Sequence, residues 1–152
     1  MTFTTASSTA VPTPAITLID SRGPRFGAAI TSLLLATALL THSTAVIAIS
    51  FAFFLVGAIR GPQFTPQGLF FKKFIKPRLH GETPTEDVRP PRFAQQVGFA
   101  FTIVALIAGL VSWSALFTVA VSLCLAAALL NAVFDFCLGC EIYLLSVRLR
   151  SR

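Results

Sequence analysis

Four apolar runs, each close to the thickness of a lipid bilayer, dominate this chain and leave few folds open to it. They cover 24–40, 45–59, 92–111 and 115–134. A helix needs about 17–25 apolar residues to cross the hydrocarbon core. The first two runs sit at or below the short end of that range and read as a helical hairpin whose members need one another. No acidic or basic side chain falls in the interior of any run. Two short polar turns, Thr41-His42-Ser43-Thr44 and Ser112-Trp113-Ser114, join the runs in pairs. With 55% hydrophobic and 12% charged residues, the chain is too apolar for a soluble domain of this size. The expected fold is an all-α membrane protein with four transmembrane helices.

The charges decide the expected orientation. Arg22 and Arg25 open the first run. Arg60, Lys72, Lys73, Lys76, Arg78, Arg89 and Arg92 lie between the second run and the body of the third, and Arg148, Arg150 and Arg152 follow the fourth. None of the twelve basic residues falls in the two short turns. The positive-inside rule then puts both termini and the long loop in the cytoplasm, with the chain in the cell (inner) membrane. This pattern accounts for the net charge of +6 without nucleic acid. Residues 1–19 are rich in Thr, Ser, Ala and Pro and lack a basic start, so they read as a disordered tail. The rest, 20–152, reads as one membrane domain.

The two halves echo each other. Asp20-Ser21-Arg22-Gly23-Pro24-Arg25-Phe26 and Asp87-Val88-Arg89-Pro90-Pro91-Arg92-Phe93 both spell D-x-R-x-P-R-F, and each opens a hairpin. This predicts two parallel helical-hairpin repeats. A weaker echo sets Phe54-Leu55-Val56-Gly57-Ala58 against Phe136-Cys137-Leu138-Gly139-Cys140. Arg22, Arg25, Arg89 and Arg92 read as interface anchors, or alternatively as a cluster for an anion or an acidic partner.

Within the long loop, Thr65-Pro66 supplies a helix start and Pro77 a stop. Over about 65–76, Phe70, Phe71, Phe74 and Ile75 fall on one arc and Lys72, Lys73 and Lys76 on the other. That is the pattern of an amphipathic helix lying in the membrane interface, its lysines toward anionic headgroups.

Cys137 and Cys140 are the one closely spaced thiol pair. Such a pair closes a disulfide, carries sulfur, binds a soft metal, or simply packs. Cys137 is expected to end the fourth helix and, if Gly139 breaks the chain there, Cys140 to begin another at its favourable positive end. No metal or other cofactor is expected: Cys137 and Cys140 supply two zinc ligands, the nearest histidine in sequence, His80, lies in a loop, and completing four thiolates would take a homodimer. On the cytoplasmic side a permanent disulfide is not expected, whereas a redox-cycling or sulfur-accepting pair is compatible with a reducing compartment.

Arg22-Gly23-Pro24-Arg25-Phe26, Arg60-Gly61-Pro62, Arg89-Pro90-Pro91-Arg92-Phe93-Ala94-Gln95 and Phe136-Cys137-Leu138-Gly139-Cys140-Glu141-Ile142-Tyr143 resemble a bacterial membrane family, domain of unknown function 4395, common in actinobacteria. The resemblance covers nearly everything after the tail. It carries no established activity. Its members are often encoded near thioredoxin-like proteins and sulfurtransferases, which implies a thiol or sulfur role for Cys137 and Cys140. Asp135 departs from the pattern, standing where the resemblance implies a glycine.

Three functions follow as expectations. The first is a cytoplasm-facing thiol or sulfur relay that exchanges with a thioredoxin-like or sulfurtransferase partner, so that Cys140→Ser would leave a mixed disulfide on Cys137. The second is a non-catalytic membrane anchor or accessory subunit, including a homo-oligomer or larger complex. The third is a small transporter, which two hairpin repeats permit.

Overall fold

A computed structural model describes residues 15–152 of the chain. The fold is built from four long helices, α1 (Arg22–Thr41), α2 (Thr44–Arg60), α4 (Arg89–Leu110) and α5 (Ser114–Phe134), with two shorter ones, α3 (Pro66–Phe70) and α6 (Leu138–Arg150). Among the described residues, α1, α4 and α5 are long and apolar enough to cross a membrane; α2 is a shorter apolar helix of 17 residues. The long helices form a ring in which α1 packs on α2 and α5, and α4 packs on α2 and α5, while α6 lies against α4.

Side-chain size explains the packing. The buried positions include Ala38, Ala105, Ala108 and Ala120, with Leu35 and Ile47 as the large residues sealed between them. Leu33, Leu40, Ile107, Leu110 and Val133 point outward and are more than half exposed. Small residues inside and large apolar ones outside is the arrangement of helices whose solvent is lipid, because close backbone approach, not apolar burial from water, holds them together. Three of the buried hydroxyls are satisfied within their own helices. Ser32 donates to the Ala28 carbonyl at 2.8 Å, Ser50 to Val46 at 3.1 Å and Thr102 to Gly98 at 3.0 Å, so none competes for a partner in an apolar medium.

The motif echo has a physical basis. Strand β1 (Leu18–Asp20) pairs antiparallel with β2 (Thr85–Asp87), setting Leu18 opposite Asp87 and Asp20 opposite Thr85. Asp20 Oδ1 accepts from the Arg22 amide and Asp87 Oδ1 from the Arg89 amide, each at 3.0 Å. The Ser21 amide donates to the Pro84 carbonyl and the Val88 amide to the Thr17 carbonyl, again both at 3.0 Å. The two aspartates thus stand in like positions ahead of α1 and α4, and the intervening bonds cross between the two segments. This corrects two expectations: the chain is not wholly α, and the tail read as 1–19 includes the first strand. Most of that tail, 1–14, lies outside the described residues.

The weaker echo does not hold. Phe54–Ala58 lies inside α2, whereas Phe136–Cys140 lies beyond the end of α5. Thr65–Gly68 is the counterpart instead. Thr65 is the N-cap of α3 and its Oγ1 accepts from the Gly68 amide at 3.2 Å; Cys137 is the N-cap of α6 and its Sγ accepts from the Cys140 amide at 3.3 Å. The following helices pack alike. Phe26 of α1 meets Phe70 and Phe71 at 6.1 and 5.7 Å between ring centres, and Phe93 of α4 meets Tyr143 at 5.7 Å.

The loop helix departs from the expected clean amphipathic stripe. Only Pro66–Phe70 is α-helical; a wider π-helical turn covers Phe71–Ile75 and a tighter one Lys76–Arg78. The wide turn rotates Phe71 inward, where it is buried, and leaves Phe70 and Phe74 about half exposed.

Candidate functional site

Asp135 ends α5. Its backbone is left-handed, with φ 55° and ψ 28°, and its amide donates to the Leu130 carbonyl. That conformation favours glycine and tolerates Asp or Asn, which gives a physical reason for the glycine implied by the resemblance. Phe136 and Cys137 then run extended, and Cys137 caps α6. The expectation that Cys137 ends the preceding helix is thus corrected: two residues separate it from α5, and it begins the next helix.

Cys137 and Cys140 are joined as a disulfide, their Cα atoms 5.2 Å apart. An N-cap and the third residue of the first turn lie on the same side of the backbone, so an S–S bridge fits there without unwinding the helix. Both residues are only partly buried. The positive end of α6 and the Cys140 N–H both converge on the Cys137 sulfur, which is the atom they would stabilise as a thiolate. The favoured sulfur is therefore Cys137, not Cys140. Gly139 brings the turn close to α4: a Cβ there would sit 2.7 Å from the Ala94 Cα and Cβ.

Cys137 also lines a cavity of about 300 Å³ among α1, α2, α4, α5 and α6. Gly139, Ala94, Ala127, Phe54 and Cys124 are among the other residues that line it. Thr31, Gln95 and Asn131 are its polar lining residues. The Thr31 hydroxyl accepts from the Gln67 side-chain amide at 3.4 Å, and the Gln95 side chain lies against Gly57. Sequence reading missed this cavity because its walls come from five helices that only the bundle brings together.

The arginines are placed differently from a single cluster. Arg25 reaches the Ala132 and Val133 carbonyls at the end of α5, at 3.1 and 3.5 Å. Arg92 reaches Ala58 and Ile59 at the end of α2, at 3.0 and 2.6 Å. Arg22 donates to the Glu82 carbonyl, and Arg89 lies 3.9 Å from Asp87. Each thus has a partner within the chain. Lys76 sits 3.8 Å from the buried Asp20 carboxylate, whereas Lys72 and Lys73 are exposed, Lys73 resting 5.5 Å over the Phe74 ring. Burial first, and the neighbouring Asp135 charge second, push the Glu86 carboxyl above its usual range.

At the opposite end, His42 closes α1 in a left-handed conformation and lies 5.5 Å from the Phe117 ring. A second cavity of about 360 Å³ there is bordered by His42, Thr44, Ser112 and Ser114. No group of three His, Cys, Asp or Glu side chains among the described residues could hold a metal ion.

Neither the curated proteins nor the solved structures contain a match to this chain. A family match does exist, and it spans the paired strands, all the long helices and the cysteine turn: residues 19–148 fit the family described as Domain of unknown function (DUF4395), and the chain belongs to it.

Proposed function

We propose that the chain is a four-span membrane protein with both termini in the cytoplasm, and that Cys137 and Cys140 exchange disulfides or persulfides with a soluble thioredoxin-like or sulfurtransferase partner. The observation that carries this reading is a partly exposed disulfide set on the first turn of α6, with the Cys140 amide aimed at the Cys137 sulfur. The shorter α2 completes the fourth span: its 17 residues measure about 25 Å, and the bundle supplies the remaining depth. Lys72 and Lys73 with exposed Phe70 and Phe74 suit a cytoplasmic lipid interface.

The N-cap geometry sets the direction of exchange. When a partner thiolate attacks the disulfide, the better-stabilised sulfur leaves. Cys137 departs as thiolate, and the partner bonds to Cys140. Cys137→Ser should therefore accumulate a mixed disulfide on Cys140. In the reverse sense, reduced Cys137 attacks an oxidised partner, and Cys140→Ser retains that adduct. Both variants, expressed in cells and examined by non-reducing electrophoresis and mass spectrometry, test the reading. Failure of both to hold any partner rejects it.

One observation favours a second reading, a non-catalytic membrane subunit. Thr65 caps α3 through the same contact that Cys137 makes in α6, so a cap alone accounts for the sulfur's place. Under that reading Cys137→Thr preserves growth under sulfur and oxidative stress; under the exchange reading it does not.

A further inference from the structure

We propose that the cavity lined by Cys137 binds the ring of a lipid-soluble quinone, and that this ring accepts the electrons of the Cys137–Cys140 dithiol. The inference rests on the exchange reading above and names the oxidant which that reading leaves open.

Three features of the cavity converge on this ligand class. The first is position. Cys137 lines the cavity and Cys140 does not, so the first cysteine is the one next to a ligand there and the second is left for a soluble partner. The second is access. Leu123 and Leu138 border the cavity and are 53% and 42% exposed. A ligand therefore enters sideways, from where lipid lies, and a long isoprenoid tail can stay outside. The third is the lining. It is apolar except for a few groups, among which Gln95 and Asn131 bring side-chain amides. A flat apolar ring with two carbonyl acceptors uses both properties. A lipid acyl chain would fill the volume but leave the amides unmet. At about 300 Å³ the cavity is at the small end of ligand sites and suits a head group, not a whole lipid.

The redox step balances within the named components. The Cys137 thiolate, stabilised by the Cys140 N–H, adds to a ring carbon and forms a C–S bond. The Cys140 thiolate then attacks the Cys137 sulfur, the S–S bond forms, and the C–S pair returns to the ring. Two electrons pass from the sulfurs to the quinone, and the two thiol protons finish on its oxygens as hydroquinone. Electrons thus run from a reduced partner through Cys140 and Cys137 to the membrane pool. This flow would keep the pair oxidised even where the aqueous compartment is reducing.

The test uses the full chain in lipid nanodiscs, with the pair reduced and the reductant removed, under nitrogen. Short-tailed ubiquinone-1 is the probe, followed by its ultraviolet absorbance and by thiol titration. Wild-type protein should consume one quinone per thiol pair. Ala127→Phe, which fills the cavity, should slow this at least tenfold while its reaction with oxidised glutathione stays unchanged. Asn131→Leu, which leaves the space but removes an amide, should slow it at least threefold. Absence of quinone reduction by wild-type protein, or an unchanged rate in both variants, overturns the inference. Thiol exchange that survives while quinone is ignored overturns this inference alone; quinone reduction without any thiol partner overturns the exchange reading alone.

Discussion

Arg25 and Arg92 hold matching positions of the D-x-R-x-P-R-F motif, and each closes a helix of the other hairpin. Arg25 donates to Ala132 and Val133 where α5 ends, and Arg92 to Ala58 and Ile59 where α2 ends. The terminal carbonyls of a helix lack partners within it and carry its negative pole, so a guanidinium answers both needs. The two arginines lock the hairpins reciprocally at the end of the bundle that holds the thiols.

Removing either lock should cost stability without changing the oxidation state of the cysteines. Arg25→Met or Arg92→Met is expected to lose about 0.5–1.5 kcal/mol, the range for hydrogen bonds of this kind. For a chain of this size that is roughly 2–4 °C per kcal/mol. Lysine should recover only part of the loss, since it cannot span two carbonyls with a planar fork. Thermal unfolding in detergent measures it.

Asp135 should be replaceable by glycine with a gain. Its φ of 55° is one a side chain resists, by about 1 kcal/mol relative to glycine. Asp135→Gly is expected to be neutral or more stable by up to about 1 kcal/mol, and Asp135→Val clearly less stable. The glycine variant also removes a carboxylate near the thiols, so alkylation of the reduced pair should quicken. Equal thermal midpoints for the Gly and Val variants would contradict the backbone argument.

Glu86 gives the chain a pH dependence of known sign. Its carboxyl titrates higher when folded than when unfolded, by burial first and Asp135 second. The folded state therefore holds more protons across the window between the ordinary carboxylate value and the raised one, and stability falls as pH rises through it. Glu86→Gln should raise the unfolding midpoint at neutral pH and have no effect below that window. The gain is modest because Glu86 is partly exposed. A midpoint difference that persists at pH 3 would refute this assignment.

Gly139 sets the distance between α6 and α4. A larger side chain meets Ala94, whose Cα and Cβ lie 2.7 Å from where its Cβ would be. Gly139→Leu should cost about 1–3 kcal/mol by overpacking and expose α6 to protease. Ala94→Gly removes the Cβ contact but leaves the one with the Cα, so Gly139→Ala with Ala94→Gly is expected to recover only part of the loss caused by Gly139→Ala. The paired variant being worse than Gly139→Ala alone would disprove the contact.

Orientation has its own test. A cysteine at Trp113, introduced with Cys124 replaced by Ala, should react with an impermeant maleimide added to intact cells, and the Cys137–Cys140 pair, once reduced, should not. Labelling of the terminal pair alone would reverse the topology.

The amino-acid order determined the parts of this protein that depend on local composition. Runs free of charge make apolar helices, and polar turns end them. The D-x-R-x-P-R-F echo already marked two equivalent helix starts, because an aspartate that caps an amide two residues on is a local device. The family was legible for the same reason, in short motifs at the helix ends. What no local rule could supply was the partner of each group across the fold. The sequence reads the arginines as interface anchors, with a cluster as the alternative; which carbonyls they meet is set by the bundle, which sends Arg25 to α5 and Arg92 to α2. The sequence pairs the cysteines with Phe54–Ala58; the tertiary structure pairs them with the Thr65 cap, since equivalence is set by which helix the turn packs against. The cavity lined by Cys137 exists only because five helices leave a gap among them, and a gap is a property of packed surfaces that no single stretch of chain contains.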